Sequence, residues 1–489
     1  MSSGSRQGRI RVGPWDGVKA CKPLSNICKK VSILLLKQLG PPAAITGMRM
    51  FRNLLLLGVG LLAAEKLSAA EAPRVPILPS IPDKVFKAAD HGAVADGTTD
   101  NTKAIQDTID ATVAAGGGVV EIPPGELLCG PLKLSSHLNI HLSDRTVLKL
   151  LPIDKYPGGT NNPGDFLSAT NLEDIAVTGK GTIDGQGAEW WPLAKKKPAD
   201  DGKIDKRPRM ISMRSCQRIL IQDVKLMNSP MFHIAIGGKT SDVTVRGVTV
   251  RAPSSTDPKT PSHNTDACDV TGQHILIENC DISVGDDNYT CGGGTSDVTI
   301  RHCTYGNGHG VSIGSGTAGG VSNITVEDCT FTNTECGIRV KSDRGRGGLV
   351  EHLTYRNLKM TNVNIPILIY SSYMATDKQF RDLNNLTAEV AAKYPAQPVA
   401  NLTPIYKDIT FTNITATVAK GRRAGLIWGL PEAPAQNIVL QKVNITADKP
   451  FGVYNVQGFK LENCNIVTPD GVNKLSISTA PTPSEAEKN

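Results

Sequence analysis

The chain has 489 residues, of which 48 are glycine, and aromatic residues make up only 4%. This length can bury a large core, and many glycines with few aromatics favour short strands and tight turns over a helical bundle. The net charge of +7 is uneven: residues 1–70 hold 11 basic and two acidic residues, which leaves 42 basic and 44 acidic residues in the remainder. A body with a net charge of about −2 gives no support for nucleic acid binding, so any recognition of an anion has to be local.

A secretory signal is predicted near the start of the sequence. Residues 49–53 are basic, Leu54 to Ala64 form an apolar run, and small residues follow up to Ala72. This order is typical of a signal peptide, and a run of about 11 residues is too short to span a bilayer as a helix. We therefore predict a disordered upstream extension at residues 1–47 and a signal peptide at 48–72. Export to the periplasm or the outside follows, and an uncleaved membrane anchor is the alternative.

The next segments predict a linker and then a helix. Residues 73–83 are rich in proline and are expected to form a linker. Thr99 or Asp100 can begin a helix, and the glycines at 116–118 end it. Within it, residues recur at helical spacing: Ala104, Ile105, Thr108, Ile109 and Thr112. A helix ahead of many strands is expected to cap the open end of a solenoid.

From about residue 174 the chain repeats a short motif that is apolar at positions 1, 3, 6 and 8. The first clear copy is Ile219, Ile221, Val224 and Leu226, and later copies begin at Val243, Ile275, Val298, Ile324, Leu353, Ile409, Ile438 and Phe459. Alternation within each half predicts strands with one buried face, and the two-residue gap predicts a bend. Most copies are 21 to 32 residues apart. An all-β, right-handed parallel β-helix over residues 84–475 is therefore predicted, with a disordered tail at 476–489.

Two further features belong to this repeat region. The polar stretch from Met374 to Thr403 interrupts the spacing and is expected to be an insertion over one rim of a cleft. Four cysteines, Cys280, Cys303, Cys329 and Cys464, share one inward position of the motif. A ladder of small buried side chains explains them without disulfides, although a Cys329–Cys336 disulfide stays open.

A group of charged side chains recurs at about one repeat. Asp266, the pair Asp286-Asp287 and His309 follow one another in this way. Because neighbouring rungs of a β-helix lie about 4.8 Å apart, these side chains are expected to meet on one wall. Crowded carboxylates raise one another's pKa, so that one can stay protonated while another ionises. Glycoside hydrolysis requires this combination of an acid and a base.

A local site for an anion is predicted one rung further on. Arg339 and Lys341 alternate along one strand and therefore share a face. The guanidinium offers a fork that fits a carboxylate, and the ammonium adds a point charge. A uronic acid would supply that carboxylate.

These motifs, Asn264-Thr-Asp266, Gly285-Asp-Asp287, Gly308-His-Gly310 and Arg339-Val-Lys341, resemble those of family-28 glycoside hydrolases, the polygalacturonases. The resemblance extends over roughly residues 84–470. It implies a right-handed parallel β-helix and hydrolysis, with inversion, of the α-1,4-galacturonan of pectin.

The resemblance also implies roles for the residues. Asp286 would be the general acid, Asp266 and Asp287 would activate water, and His309 would support the acid. Arg339 and Lys341 would hold the sugar carboxylate, with Asn264 as a further substrate-binding residue. The family often places a tyrosine near the same sugar on a later strand, and Trp428 stands at the apparent counterpart, where it is expected to stack on a sugar.

Several alternatives stay open at this point. The substrate could be rhamnogalacturonan or xylogalacturonan, and a non-catalytic β-helix that binds polysaccharide would carry the same repeats. A polysaccharide lyase would need a calcium ion on the carboxylates, which His309 and Arg339 beside them disfavour. We expect no cofactor and no metal, a monomer, a pectic polysaccharide as the partner, and no lasting membrane association. The sequence does not separate endo from exo action.

Overall fold

The computed structural model describes residues 73–195 and 205–478, and within them the chain is built almost entirely of strands. The upstream extension and signal peptide predicted for residues 1–72 lie outside the described residues. The α-helices are α1 Thr102–Ala114, α2 Lys378–Arg381 and α3 Ala388–Ala392, and three short 3-10 helices cover Ala88–His91, Gly187–Glu189 and Trp191–Lys195. In chain order the strands are β1 Val85–Lys87, β2 Asp96–Asp100, β3 Gly118–Ile122, β4 Gly125–Cys129, β5 Leu132–Lys133, β6 Leu138–Leu142, β7 Thr146–Leu150, β8 Leu167–Thr170, β9 Glu173–Gly179, β10 Thr182–Asp184, β11 Ile211–Arg214, β12 Gln217–Gln222, β13 Lys225–Met227, β14 Ile234–Gly237, β15 Ser241–Arg246, β16 Thr249–Arg251, β17 Cys268–Val270, β18 Gln273–Glu278, β19 Asp281–Ser283, β20 Tyr289–Cys291, β21 Thr295–Arg301, β22 Thr304–Tyr305, β23 Val311–Ile313, β24 Val321–Glu327, β25 Thr330–Thr332, β26 Cys336–Lys341, β27 Leu349–Val363, β28 Ile365–Tyr370, β29 Ile405–Val418, β30 Leu426–Trp428, β31 Ala435–Thr446, β32 Phe451–Tyr454, β33 Val456–Gln457, β34 Lys460–Glu462, β35 Asn465–Thr468, β36 Gly471–Val472 and β37 Leu475–Ser478.

The strands form a parallel β-helix, as predicted. One sheet has twelve strands in the order β5-β8-β11-β14-β17-β20-β23-β26-β28-β30-β32-β37, and the other strands form the remaining walls. Each strand pairs in parallel with its counterpart in the next turn, for example β17 with β20 and β20 with β23. We call the twelve-stranded sheet the cleft sheet, because the candidate site lies on it.

The repeat motif predicts the register of the interior correctly. Ile219 pairs with Val243, and Val243 pairs with Ile275. The same column continues through Val298, Ile324, Leu353, Ile409 and Ile438. These side chains belong to one buried apolar core. Since a single turn leaves its inner face uncovered, stacking of turns supplies the burial that stabilises the fold.

The two-residue gap in the motif is a bend with a defined conformation. Its second residue takes a positive φ in successive turns, as in Asp223 at 61°, Asn279 at 56° and Asp328 at 54°. Asn and Asp tolerate this left-handed conformation better than other residues with a side chain, because they bond locally to the backbone. The bend therefore turns each strand pair from one wall to the next.

Helix α1 lies where the sequence predicts a helix. The Asp100 carboxylate accepts a hydrogen bond of 2.9 Å from the backbone N–H of Thr102 at its start. Ile105 and Ile109 are buried in the same core as the strands. Its role as the cap of the open end stays a prediction.

The predicted boundaries at both ends need adjustment. The segment predicted as a linker lies along the β-helix, where the backbone N–H of Ser80 donates to Asp174 at 2.8 Å and that of Ile77 to Asp242 at 3.1 Å. At the other end β37 pairs with β32, so the β-helix continues to residue 478. Residues 479–489 lie outside the described part. Within residues 73–195 and 205–478, no helix is long and apolar enough to cross a lipid bilayer.

The cysteine ladder and the insertion are both present. All nine described cysteines are free, including Cys329 and Cys336. Cys280, Cys303 and Cys329 are buried in successive turns, whereas Cys464, the fourth predicted member of the ladder, is only partly buried. Helices α2 and α3 lie in the insertion. Apolar side chains of the insertion, from these helices and from the residues beside them, pack on the outer face of the cleft sheet in a second cluster: Phe380, Leu386, Ala391 and Tyr394 against Leu368, Tyr370, Leu426, Trp428 and Tyr454.

Candidate active site

Neighbouring strands of the cleft sheet bring the predicted residues together. Asp266 stands two residues before β17, Asp286 and Asp287 just before β20, and His309 before β23. The backbone joins these rungs, because the N–H of Ala267 donates to the carbonyl of Asp287 at 2.9 Å and that of His309 to the carbonyl of Asp286 at 2.9 Å. The stacking that the spacing predicts is therefore observed.

Asp287 is the anchor of a buried ion cluster. Lys341 Nζ lies 2.9 Å from Asp287 Oδ2, and Arg339 Nη2 bonds Asp287 Oδ1. Ser312 Oγ donates to the same Oδ1 at 2.8 Å and accepts from Arg339 Nε at 3.0 Å. Burial alone would raise the pKa of Asp287, but the charges of Arg339, Lys341 and His309 outweigh it and hold the pKa well below its usual range.

Asp286 forms a dyad with His309. Asp286 Oδ1 is 2.9 Å from His309 Nδ1, and on the other side of the ring His309 Nε2 is 3.0 Å from Glu335 Oε2. Burial would raise the pKa of Asp286, but the hydrogen bond and charge of His309 lower it. Burial would likewise lower the pKa of His309, and the bond to Asp286 with the charges of Asp286 and Glu335 raises it above the ordinary value. At a pH below the raised pKa of His309, the dyad therefore holds one proton and has no net charge.

Asp266 behaves differently from the other two carboxyl groups. It is only 6% exposed, and its Oδ1 is buried without a hydrogen-bond partner among the described residues. Burial, followed by repulsion from Asp286 and Asp287, raises the pKa of Asp266 well above its usual range. The trio thus separates into two ionised groups and one that favours the neutral form.

Asn264 lies two residues before Asp266 and contacts Asp286. Its backbone N–H and its Nδ2 both donate to Asp286 Oδ2, at 3.3 and 3.4 Å. Asp286 is therefore held on both oxygens, by Asn264 on one side and by His309 on the other. Contact with a substrate stays a prediction for Asn264.

Two glycines leave room that this arrangement needs. A Cβ on Gly285 would lie 2.0 Å from the carbonyl oxygen of Ser262, so the strand before the Asp pair can approach only without a side chain. Gly310 has a φ of 79°, and a Cβ there would lie 2.1 Å from the carbonyl of Cys336. Both positions therefore require glycine for the close approach of neighbouring turns.

Comparison with known sequences bears directly on these residues. The sequence pattern of the family described as Glycosyl hydrolases family 28 matches residues 118–465, which include every residue of the site. The chain belongs to glycosyl hydrolase family 28. As a family-28 member it is a glycoside hydrolase.

Polygalacturonase relatives are similar in sequence to this chain over two thirds of its length or more. A polygalacturonase from Juniperus ashei is 30% identical over 82% of this chain and 76% of that protein. An endo-polygalacturonase from Pectobacterium carotovorum subsp. carotovorum is 29% identical over 67% of this chain and 80% of that protein. Among solved structures, an exopolygalacturonase from Thermotoga maritima matches with a TM-score of 0.64 and 22% identity, covering 83% of this chain and 94% of its own. That likeness shows the fold alone.

The prediction for Trp428 needs correction. Trp428 shares a column with Tyr370 and Lys341, so it does point outward from the cleft sheet. It is nevertheless only 1% exposed, because the insertion covers it: the ring centroid of Tyr394 lies 5.1 Å away and that of Phe380 6.2 Å away. A ring covered on this side is not available to stack on a sugar.

Sequence reasoning missed Tyr373, an exposed aromatic residue beside the cationic pair. Tyr373 is 39% exposed, and Lys341 Nζ lies 5.2 Å from its ring centroid. It follows the end of β28 by three residues, directly before the insertion. A tyrosine at the end of the strand that pairs with β26 is the signal that could have found it.

Glu335 was also missed, and its contact with His309 leads to a test. Changing Glu335 to Gln removes a negative charge that stabilises the imidazolium. Because the pKa of His309 is raised above its ordinary value, its proton is lost at a higher pH than that of a free imidazole, and the variant should lose it at a lower pH than the unchanged protein. We expect the alkaline limb of kcat/KM against pH to move to lower pH by about 0.2–0.7 unit, the effect of a half-exposed ion pair.

A matched control is Glu389→Gln, which removes an exposed carboxylate from the first turn of α3. Its profile should overlay that of the unchanged protein. An alkaline limb that stays in place in Glu335→Gln would contradict the dyad as the group that titrates there.

Proposed function

We propose that this family-28 hydrolase cleaves α-1,4-galacturonosyl linkages of pectin and polygalacturonate with inversion at the anomeric carbon. The observation that carries the proposal is the cationic pair Arg339 and Lys341, which shares the ion cluster of Asp287 beside the Asp286–His309 dyad. The names of the relatives, polygalacturonases from plants and bacteria, support the same substrate. A uronic acid places a carboxylate on each sugar, which the pair can attract next to the bond to be cut.

Asp286 is the general acid in this proposal. Its side chain is 19% exposed, against 4% for Asp287, so it is the carboxyl group that a glycosidic oxygen can reach. The proton that His309 holds at Nδ1 passes to Asp286 Oδ1 and then to the leaving oxygen. The dyad starts with no net charge, so this first transfer buries no new charge. Glu335 and Asn264 keep the two members aligned.

Asp266 and Asp287 act on the attacking water. Asp287 is ionised and fixed by three donors, which suits it to orient the water, but its lowered pKa makes it a weak base. Asp266 has a raised pKa, so once ionised it is the better acceptor of the proton. The acid limb of the pH profile is then the ionisation of Asp266, and the alkaline limb is the loss of the dyad proton.

Tyr373 is proposed to contact the sugar whose carboxylate faces Lys341. Replacing Tyr373 by Ala removes an aromatic face, and kcat/KM on polygalacturonate should fall about 2- to 12-fold, mainly through KM. Tyr373→Phe keeps the ring and should stay close to the unchanged protein. The initial rates of both variants over a range of substrate concentrations measure this, and equal values for Ala and Phe would remove Tyr373 from the site.

The insertion supports cleavage near one end of the polysaccharide. Outward residues of the cleft sheet beyond Lys341 are covered: Leu368 is 3% exposed, Tyr370 7% and Trp428 1%. On the other side of the carboxylates Arg214 is exposed, and Ser212, Ala235 and Asp269 are partly exposed. The groove is thus open on one side of the site and covered within about two rungs of the other.

The proposal is tested with the mature protein on polygalacturonate and on defined oligogalacturonides. We expect new reducing ends, an inverted anomer in the first product seen by NMR, and one fragment of one or two sugars from each early cut. Absence of new reducing ends would refute the function. Early fragments that all exceed two sugars would refute cleavage near one end of the polysaccharide and would leave the proposed hydrolysis itself intact.

Decorated galacturonans are a second candidate because of a side cavity. A cavity of about 310 Å³ opens beside His309, and its lining includes Ser254, Asn333, Glu335 and Arg422. A branch sugar on the main chain could enter it. A higher kcat/KM on xylogalacturonan than on polygalacturonate would favour this candidate.

The lyase alternative loses support from the ion cluster. Both oxygens of Asp287 already bind cationic side chains, which leaves that carboxylate poorly suited to a calcium ion. A product that absorbs in the ultraviolet would restore it. Retained binding of polysaccharide without any turnover would instead favour the non-catalytic alternative.

Export and a monomeric state complete the proposal. They rest on the signal pattern at residues 48–72 and on the closed stacking of the β-helix. Cell fractionation with N-terminal sequencing of the mature protein tests the first, and light scattering tests the second.

A further inference from the structure

Arg207 lies outside the motifs and yet contacts the segment that carries Asn264, which in turn contacts Asp286. It stands four residues before β11, in the turn that precedes the turn of Asp266 by two. Its Nη1 donates to the carbonyl oxygens of Pro230 at 3.0 Å and His263 at 2.8 Å. Its Nη2 donates to Asn264 Oδ1 at 2.8 Å. One guanidinium therefore forms hydrogen bonds to both the backbone at His263 and the side chain of Asn264.

The chemistry of these groups fixes which way the amide of Asn264 points. A guanidinium only donates hydrogen bonds, and an ionised carboxylate only accepts them. The amide oxygen of Asn264 must therefore face Arg207, and its NH₂ must face Asp286 Oδ2, which lies 3.4 Å from Nδ2. In a flipped amide the oxygen would face the Asp286 carboxylate, acceptor against acceptor, and the NH₂ would face the Arg207 guanidinium, donor against donor.

Asn264 has little local reason to hold this pose by itself. Its φ of 57° lies in the left-handed region, and its side-chain hydrogen bonds go to Arg207 and Asp286, which belong to other turns. The backbone N–H of Asn264 reaches Asp286 Oδ2 at 3.3 Å, and the His263 carbonyl directly before it is the one that Arg207 holds. Both donors to Asp286 thus depend on the segment that Arg207 fastens.

We propose that Arg207 is a positioning residue for hydrolysis, which acts through Asn264 to hold the carboxyl group of Asp286 in the orientation that delivers the proton. This inference rests on the proposed function. In it Asn264 fixes Oδ2, His309 fixes Oδ1, and Arg207 fixes Asn264. Burial lowers the pKa of Arg207, while the charges of Asp266 and Asp286 oppose that shift, which places the guanidinium in the field of the catalytic trio.

The test is a double-mutant cycle of Arg207→Gln and Asn264→Ala, with kcat and KM measured on polygalacturonate. We expect each single variant to lower kcat about 10- to 150-fold with KM within about twofold, the loss of one hydrogen bond to a charged group. The double variant should be slower than Asn264→Ala by clearly less than the factor that Arg207→Gln produces alone, because the path through the Asn264 side chain is already lost and only the backbone N–H of residue 264 still depends on Arg207. Lys206→Gln, which removes the exposed neighbouring charge, is the control and should keep kcat unchanged.

Three results would overturn the inference. The effects of the two substitutions could multiply in the double variant, the loss in Arg207→Gln could lie in KM alone, or Lys206→Gln could match Arg207→Gln. If Arg207→Gln does not fold by its urea midpoint, Arg207→Lys replaces it in the cycle. The single Nζ of a lysine can bond the backbone carbonyls without also bonding the amide oxygen of Asn264, so the same fall in kcat is expected. An unchanged kcat in the folded Arg207→Lys variant would refute the positioning role of Arg207.

Failure of the proposed function gives a different pattern. An unchanged protein that leaves polygalacturonate intact refutes the function, whatever the variants do. The contact between Arg207 and Asn264 is then tested by the urea midpoints of the unchanged protein, the two single variants and the double variant. Coupling between the two substitutions supports the contact, and simple addition of the two shifts refutes it.

Discussion

Asp286→Asn is expected to lower kcat on polygalacturonate by about 10²–10⁴-fold, the range that a positioned general acid contributes. The amide keeps the shape of the carboxyl group and its bond to Asn264 or His309, but it has no acidic proton to give to the leaving oxygen. KM should change little, because the cationic pair that attracts the substrate remains. Reducing-end release over hours, rather than minutes, measures the residual rate.

A control variant separates chemistry from folding. Asp470→Asn removes an exposed carboxylate near β36 and should leave kcat unchanged. Urea unfolding of Asp286→Asn should give a midpoint close to that of the unchanged protein. A kcat within about tenfold of the unchanged protein would move the role of general acid to another group, and Asp266 would be the next candidate.

Asp287→Asn is expected to affect both stability and activity. Arg339 and Lys341 are 7% and 5% exposed, and Asp287 is their shared counter-charge. Removing one member of a buried ion cluster leaves uncompensated charge and costs about 3–5 kcal/mol of unfolding free energy. The kcat of the folded fraction should also fall at least 100-fold, because the water loses the carboxylate that orients it. Urea unfolding followed by circular dichroism measures the first effect.

Glu278 provides a matched control on another wall of the β-helix. It is 7% exposed and bridges Arg246, at 2.6 Å, and Arg301, at 2.7 Å. Glu278→Gln should lower the unfolding free energy while the folded protein keeps its kcat. An Asp287→Asn variant as stable as the unchanged protein would show that the cationic pair needs no counter-charge, and the reading of this cluster would have to change.

The repeat motif alone determines much of the fold. Ile219, Val243 and Ile275 were assigned equivalent positions from spacing, and the register pairs them. This succeeds because each turn buries its inner face only against the next turn, so the same apolar positions must recur. The same regularity brings Asp266, Asp287 and His309 onto neighbouring rungs.

Exposure and protonation depend on contacts that the repeat does not encode. Trp428 and Lys341 share one outward column, yet the insertion from Met374 to Thr403 covers the first and leaves Tyr373 open beside the second. Sequence spacing gives the direction of a side chain on its strand. It gives no information on which distant segment folds over that side chain.

The electrostatics show the same division. The sequence predicts that three crowded carboxyl groups have different pKa values, and the structure decides which of them is raised. Asp287 lies against Arg339 and Lys341, Asp286 against His309, and Asp266 is buried without such a partner.

Sequence by itself determined the stacked scaffold and the set of charged residues, because periodic burial fixes which positions face inward and which rungs are neighbours. Only the tertiary structure decided how Glu335, Arg207 and Tyr373 join the site, since these contacts come from bends and insertions outside the motif. The physical reason is one of range: burial of a repeated face is a local requirement, whereas a pKa or a hydrogen bond depends on every charged or polar group within a few ångströms, whatever its place in the chain.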